Sequence, residues 1–371
     1  MQALEDFMLA RYIPRLFYKG GRTPLYLTFF VTNRCNLKCE HCFYSAELNL
    51  PTQEMTVDEI DKMASTMDPF PVLNYSGGEP FLRDDLDDVT HAFYKHNQTN
   101  YLTIPTNGTY LKKTQEILPR MLEKCPDMLV TLNFSVDGLE EEHNRIRSGG
   151  KGGSGLFKTT MKTFEALKPM KKEYKNLRMG FITTFTATNQ DQIDDVYDYL
   201  KGQGPDNVTI NLIRGTPKDP AVKNIDISKF RHVTQRIKND LMDAKLPGFD
   251  PFLAAMSTRR YDLILKTYEE KKFQTLCYAS RIFGVLYPNG DVYPCEMFGP
   301  EKLIGNIRDF DMDFRKLWFS KRNKEIADWV VDTKCFCTHE CNASCNISFN
   351  AGEFTKAGTR AAGLVAKKIL A

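Results

Sequence analysis

The sequence has almost no net charge, no long apolar run and no secretory leader, and each absence removes a class of function. Lys and Arg total 50 against 47 Asp and Glu in 371 residues, so global charge offers no grip on nucleic acid. No stretch approaches the roughly 18–20 apolar residues of a membrane-spanning helix. Glu5 and Asp6 interrupt the N-terminus, which rules out a signal peptide. The glycine-rich stretch Gly149–Gly155 has no Lys-Ser/Thr pair to complete a phosphate loop, and no GxGxxG follows a strand pattern; it reads as a mobile loop. Together these absences predict a cytoplasmic protein without nucleic-acid partners or a transmembrane segment. The composition, 42% hydrophobic and 26% charged, is that of a globular chain with room for a large domain and a smaller one.

What the sequence does have is clustered cysteine. Three of ten lie at Cys35, Cys39 and Cys42, six lie between Cys277 and Cys345, and Cys125 stands alone before Pro126. In a reducing compartment such spacing reads as metal ligation or thiol chemistry rather than disulfides. Cys125 reads as a core residue.

Strand-like and helix-like segments alternate from Leu25 to Gly215. Strands are predicted over 25–31, 72–75, 101–106, 129–135, 178–185 and 207–213, with helices over 56–67, 84–96, 111–124, 156–170 and 189–201. A Thr56–Glu59 capping box opens the first helix. This alternation implies a parallel sheet with helices outside, doubly wound or curved into a partial barrel. Residues 225–272 read as a helical connection, and from 273 onward short strands, turns and cysteines mark a smaller domain. Leu4, Phe7, Met8, Tyr12, Leu16 and Phe17 recur at helical spacing. They predict a helix packed on the barrel, with a membrane-surface helix as the alternative. The expected divisions are an arm over 1–24, a barrel over 25–224, the connection over 225–272 and a cysteine-rich α+β domain over 273–371.

Cys35, Cys39 and Cys42 form CxxxCxxC directly after the first strand, on the face where parallel βα architectures build active sites. Three thiolates fit a four-iron cluster with one iron open, whereas structural zinc needs a fourth ligand such as His41. The motif resembles that of the radical S-adenosylmethionine superfamily, CxxxCxΦC, with His41 in the aromatic place. Gly77-Gly78-Glu79-Pro80 after the second strand, Asn107-Gly108 after the third, and Ser135 through Gly138 after the fourth extend the resemblance. It implies a partial (β/α)6 barrel of the radical SAM type, a 4Fe-4S cluster on the three cysteines, and S-adenosyl-L-methionine bound to it. It further implies that Gly77, Gly78, Glu79 and Pro80 receive the methionine amino group, Ser135 the ribose and Arg147 the carboxylate. Glu79 and Arg147 have the charges that a zwitterion requires.

Cys277 and Cys295 are spaced as Cys-x12-Gly-x4-Cys, and Cys335, Cys337, Cys341 and Cys345 follow as CxCxxxCxxxC. The arrangement resembles the SPASM or Twitch extension of the same superfamily, with shortened spacings and no cysteine after Cys345. Six thiols fall short of the eight that two cubanes need. One auxiliary 4Fe-4S cluster is therefore expected on Cys277, Cys295 and two of the last four, with a zinc site including His339 as the alternative. The resemblance implies a hydrogen abstraction by a 5′-deoxyadenosyl radical, with a one-electron donor such as flavodoxin or ferredoxin. Glu296, beside Cys295, is nominated as the base. The substrate is a peptide or a small molecule; the 34 residues before Cys35 are too few for a leader-binding winged helix. A non-catalytic electron carrier or a zinc-stabilised interaction protein is the rival reading, and it leaves Glu79, Ser135 and Arg147 without purpose.

Overall fold

A computed structural model describes residues 21–150, 153–243 and 251–370. The N-terminal helix expected over 1–22 falls almost wholly outside them. Six strands appear where the sequence predicts them: β1 (Tyr26–Thr32), β2 (Val72–Gly77), β3 (Tyr101–Thr106), β4 (Leu129–Ser135), β5 (Leu177–Phe185) and β6 (Asn207–Leu212). Between them run α1 (Val57–Ala64), α2 (Leu86–Asn97), α3 (Leu111–Lys124), α4 (Glu140–Arg147), α5 (Leu156–Leu167), the short α6 (Met170–Glu173) and α7 (Ile193–Gly202). The Thr56 capping box is formed: Glu59 N donates to Thr56 Oγ1 at 3.2 Å and Thr56 N to Glu59 Oε2 at 2.9 Å. Then come α8 (Ile227–Met242), α9 (Pro251–Glu270), strands β7 (Phe283–Leu286), β8 (Asp291–Tyr293) and β9 (Gly305–Asn306), and helices α10 (Phe314–Trp318), α11 (Lys321–Asp332), α12 (Glu340–Phe349) and α13 (Ala351–Leu370).

The strands form one open sheet in the order β6-β5-β4-β3-β2-β1-β7-β8-β9, parallel from β6 to β7 and antiparallel beyond. Grouped from sequence with the small domain, β7 in fact pairs with β1, Tyr26 opposite Phe283, as a seventh parallel strand. Its four residues are all buried, the ordinary state of an interior parallel strand. The final 20-residue helix α13 was not foreseen either.

Alternation along the strands is apolar outward and mostly polar inward. In β6, Val208, Ile210 and Leu212 are buried, and the less buried Asn207, Thr209 and Asn211 are among the residues that line an internal cavity. In β4, Thr131, Asn133 and Ser135 face the same cavity. The core therefore lies between the sheet and its outer helices: Phe164 of α5 sits 4.4 Å from Phe181 and 5.3 Å from Phe134, ring centre to ring centre. Burying each such ring contributes about 1.5–3 kcal/mol. At the free edge, Ile210 N donates to Tyr261 Oη of α9 at 3.2 Å and Leu212 N to Glu340 Oε1 of α12 at 2.8 Å. These helices satisfy the strand edge and close the side of the cavity. Among the described residues, no helix is long and apolar enough to cross a membrane.

Candidate active site

The segment after β1 that carries Cys35, Cys39 and Cys42 is fixed by asparagines. Asn33 Nδ2 donates to Glu47 O at 3.1 Å, Leu50 O at 2.8 Å and Thr52 Oγ1 at 2.8 Å. Asn49 grips Cys35 twice, accepting from its N–H and donating to its carbonyl, both at 3.0 Å. Asn107 Nδ2 reaches across from the β3 end to Asn36 Oδ1 at 2.9 Å. On the far side, Lys38 N and Glu40 N donate to the carbonyls of Arg147 and Ile146 at the end of α4. The three thiols are free and all face the cavity.

Gly77 and Gly78 serve close approach. A Cβ at Gly78 would lie 2.0 Å from Arg34 O, and one at Gly77, where φ is +106°, 2.3 Å from Thr32 O. Gly78 N and Glu79 N donate to those same carbonyls at 2.8 and 2.9 Å. These two N–H groups are thus committed to the cysteine segment. Gly77 and Gly78 line the cavity together with the Glu79 side chain, which is 1% exposed. Its Oε2 accepts from Asn107 N at 2.7 Å and its Oε1 from Thr106 Oγ1 at 2.8 Å. Burial pushes its carboxyl up to about 7 against those hydrogen bonds. Pro80 is buried at the start of a 3-10 turn and does not line the cavity.

Ser135 at the end of β4, His41 and Arg147 also line the cavity. Arg147 ends α4, an element missed from sequence although Glu140–Glu142 at its start and Arg145–Arg147 at its end match the helix dipole. The guanidinium is buried, with Nη2 2.6 Å from Asp137 Oδ2 and Nε without a hydrogen-bond partner. The neighbouring Asp137 is the residue that sequence reasoning left without a role. It lies between Arg147 and His41 Nε2, the latter at 3.5 Å, and burial holds the His41 imidazole below its ordinary range.

The Glu296 side chain is buried and faces the cavity. Its Oε1 lies 2.9 Å from Arg214 Nη2 and 2.7 Å from His339 Nε2. Despite burial, the two cations hold its carboxyl down at about 2. Such a carboxylate has little affinity for a proton while both cations are in place. Arg214, missed from sequence, also binds Glu340 Oε2 at 2.8 Å and covers the Phe43 ring at 5.1 Å. Its signal was its position just past β6, where the other strand-end residues also lie.

The C-terminal thiols divide. Cys341 and Cys345 line the cavity, whereas Cys277, Cys295, Cys335 and Cys337 do not. Cys335 hydrogen-bonds Cys277, and both Cys295 and Cys337 lie within electrostatic reach of Cys335. Among the described residues, no three His, Cys, Asp or Glu side chains converge on a single-ion site. A four-iron cube spreads its thiolates around a cage instead.

The residues fit the implied groups. Burial pushes the Cys35 and Cys42 thiols up to about 11 and 12, so they ionise readily only beside a metal centre. A buried carboxylate near 7 and a buried guanidinium with an unfilled donor suit an ammonium and a carboxylate. The cavity, about 690 Å³, is within the range that holds small organic ligands.

Three free thiols and a buried acid gather at the strand ends of an open parallel α/β barrel, the arrangement of a cofactor-binding site. Two family models place the chain further: the radical SAM superfamily matches residues 29–200 and SPASM, an iron-sulfur cluster-binding domain, matches 277–346. The chain belongs to the radical SAM superfamily and carries a C-terminal SPASM domain. Iron-sulfur clusters and S-adenosylmethionine are therefore its cofactors. Its sequence is 26% identical over 309 residues to the AdoMet-dependent heme synthase of Methanosarcina barkeri, covering 80% of this chain and 82% of the relative. Over 316 residues it is 26% identical to the mycofactocin maturase MftC of Mycolicibacterium smegmatis, covering 82% and 74%. Among solved structures, native anSMEcpe with bound AdoMet and Cp18Cys peptide shares the fold, with a TM-score of 0.59, 20% identity, and coverage of 94% of this chain and 100% of that one.

Proposed function

We propose that the protein carries out a two-electron oxidation or a crosslink on a peptide or small molecule held in the barrel cavity, assisted by one auxiliary four-iron cluster. The observation that carries this reading is convergence: Cys35, Cys39, Cys42, Glu79, Ser135, Arg147 and the C-terminal Glu296 all face one cavity. When bound, the cluster and S-adenosylmethionine supply an electron transfer and a 5′-deoxyadenosyl radical. The chain holds the cluster through three thiolates, accepts the methionine ammonium at Glu79, and offers Arg147 Nε to the carboxylate. Phe43, Tyr44, Leu48 and Tyr75 line the same cavity and exclude water. Glu296 takes a substrate proton only once substrate draws Arg214 or His339 away. A maturase relative and a fold neighbour with bound peptide support a peptide substrate. Flavodoxin or ferredoxin is the matching donor.

Cys277, Cys295, Cys335 and Cys337 are the proposed auxiliary ligands, because they group away from the cavity. Iron counts on the anaerobically reconstituted enzyme test this. Cys39→Ser is expected to abolish 5′-deoxyadenosine formation, and Cys335→Ser with Cys337→Ser to remove about four irons while cleavage persists. The same loss from Cys341→Ser with Cys345→Ser would reverse the ligand assignment.

Glu79 gives the site a pH dependence. Its carboxyl ionises near 7 in the free enzyme, and only the ionised form pairs with an ammonium. Affinity for S-adenosylmethionine is expected to rise by up to about tenfold per pH unit below that value and to level off above it. Glu79→Gln is expected to weaken binding by roughly 10–100-fold and flatten the profile, as equilibrium dialysis would show.

A further inference from the structure

Among the described residues, Arg260 of the cavity wall forms no ion pair. Arg147 is matched by Asp137, Arg214 by Glu296 and Glu340, and Arg178 donates to the carbonyls of Lys175 and Leu177. Arg260 of α9 is held otherwise. Its guanidinium lies 5.3 Å from the Tyr261 ring centre and hydrogen-bonds the Tyr261 side chain, its Nη1 reaches Ser344 Oγ only at 3.5 Å, and its Nε is buried without a partner. Glu340, on the adjoining helix α12, is already engaged by Arg214 and Leu212 N. Among the described residues, no carboxylate forms an ion pair with Arg260.

A guanidinium with unfilled donors in a partly closed cavity is unfavourable until an anion arrives. Its planar fork suits a carboxylate better than a single-point anion. We propose that Arg260 seats a carboxylate of the substrate, with the Ser344 hydroxyl as a neighbouring hydrogen-bond donor. The proposal rests on the reading of the cavity as a substrate site and names the substrate's chemistry. Tyr101, in electrostatic reach of Arg260, opens β3, whereas Thr106, which holds Glu79, closes it. Five residue steps at ~3.3 Å put these ends roughly 16 Å apart. The carboxylate would therefore sit toward the end of β3 opposite Glu79. Arg260 is a specificity residue, and the carboxylate belongs either to a peptide C-terminus or to a small organic acid.

Calorimetric titration of the reconstituted enzyme with S-adenosylmethionine bound separates these sources. The probes are N-acetyl-tetraalanine and its C-terminal amide, and hexanoate and hexanamide. At least one acid is expected to bind about tenfold or more tightly than its amide. A preference within the peptide pair assigns a peptide terminus, and one within the hexanoate pair a small acid. Arg260→Gln is expected to abolish the preference and Arg260→Lys to retain part of it, with thermal midpoints reporting folding. No acid preference in the wild type, or an undiminished one in Arg260→Gln, overturns the proposal. 5′-Deoxyadenosine formation is assayed on the same preparations. Cleavage without acid preference refutes the carboxylate seat alone, and acid preference without cleavage refutes the enzymatic reading alone.

Discussion

Arg214→Met is expected to lower stability by about 3–5 kcal/mol, because it leaves buried carboxylates without their cation. Arg214 ties together four parts of the chain. It follows β6, binds Glu296 beside Cys295, binds Glu340 at the start of α12, and covers Phe43 in the cysteine segment. His339 remains as a partner for Glu296, whereas Glu340 keeps only Leu212 N. Arg214→Met with Glu340→Gln is therefore expected to recover part of the loss. Scanning calorimetry would read the single change as a fall of roughly 4–6 °C in the midpoint. An unchanged midpoint would show that the network contributes nothing to stability.

Gly78→Ala is expected to abolish 5′-deoxyadenosine formation and to destabilise the chain by roughly 3 kcal/mol. The added methyl would lie 2.0 Å from Arg34 O, a backbone atom that moves only if the cysteine segment moves. Two hydrogen bonds, Gly78 N to Thr32 O and Glu79 N to Arg34 O, would open with it. Glu79 and Cys35 would then separate. Gly202→Ala is the control: no atom lies within 4 Å of its Cβ position, so stability should hold or rise slightly. Denaturation midpoints and product assays on both variants check the contrast.

The six strands and most of their helices were legible because each has a local pattern. Tyr101–Thr106 alternates along its length, and Thr56 announces α1 with its capping box. The place of β7 was not legible, because its pairing with β1 spans more than 250 residues and leaves no local mark. Gly77 and Gly78 were legible as a motif, but not as the contact that a Cβ would break. Glu296 was legible as a neighbour of Cys295. Its low proton affinity was not, since that depends on Arg214 and His339, brought to it from β6 and from the start of α12. Arg260 gave no sequence signal, because an arginine on a helix is ordinarily solvated; only its place in the cavity wall distinguishes it.

The most direct measurement of the central claim is a joint count of iron, zinc and 5′-deoxyadenosine from wild-type protein, reconstituted anaerobically and reduced with S-adenosylmethionine present. About eight irons per chain with product formed is the expected result, four on Cys35, Cys39 and Cys42 and four on the C-terminal thiols. Zinc in place of iron, with no 5′-deoxyadenosine, would contradict it.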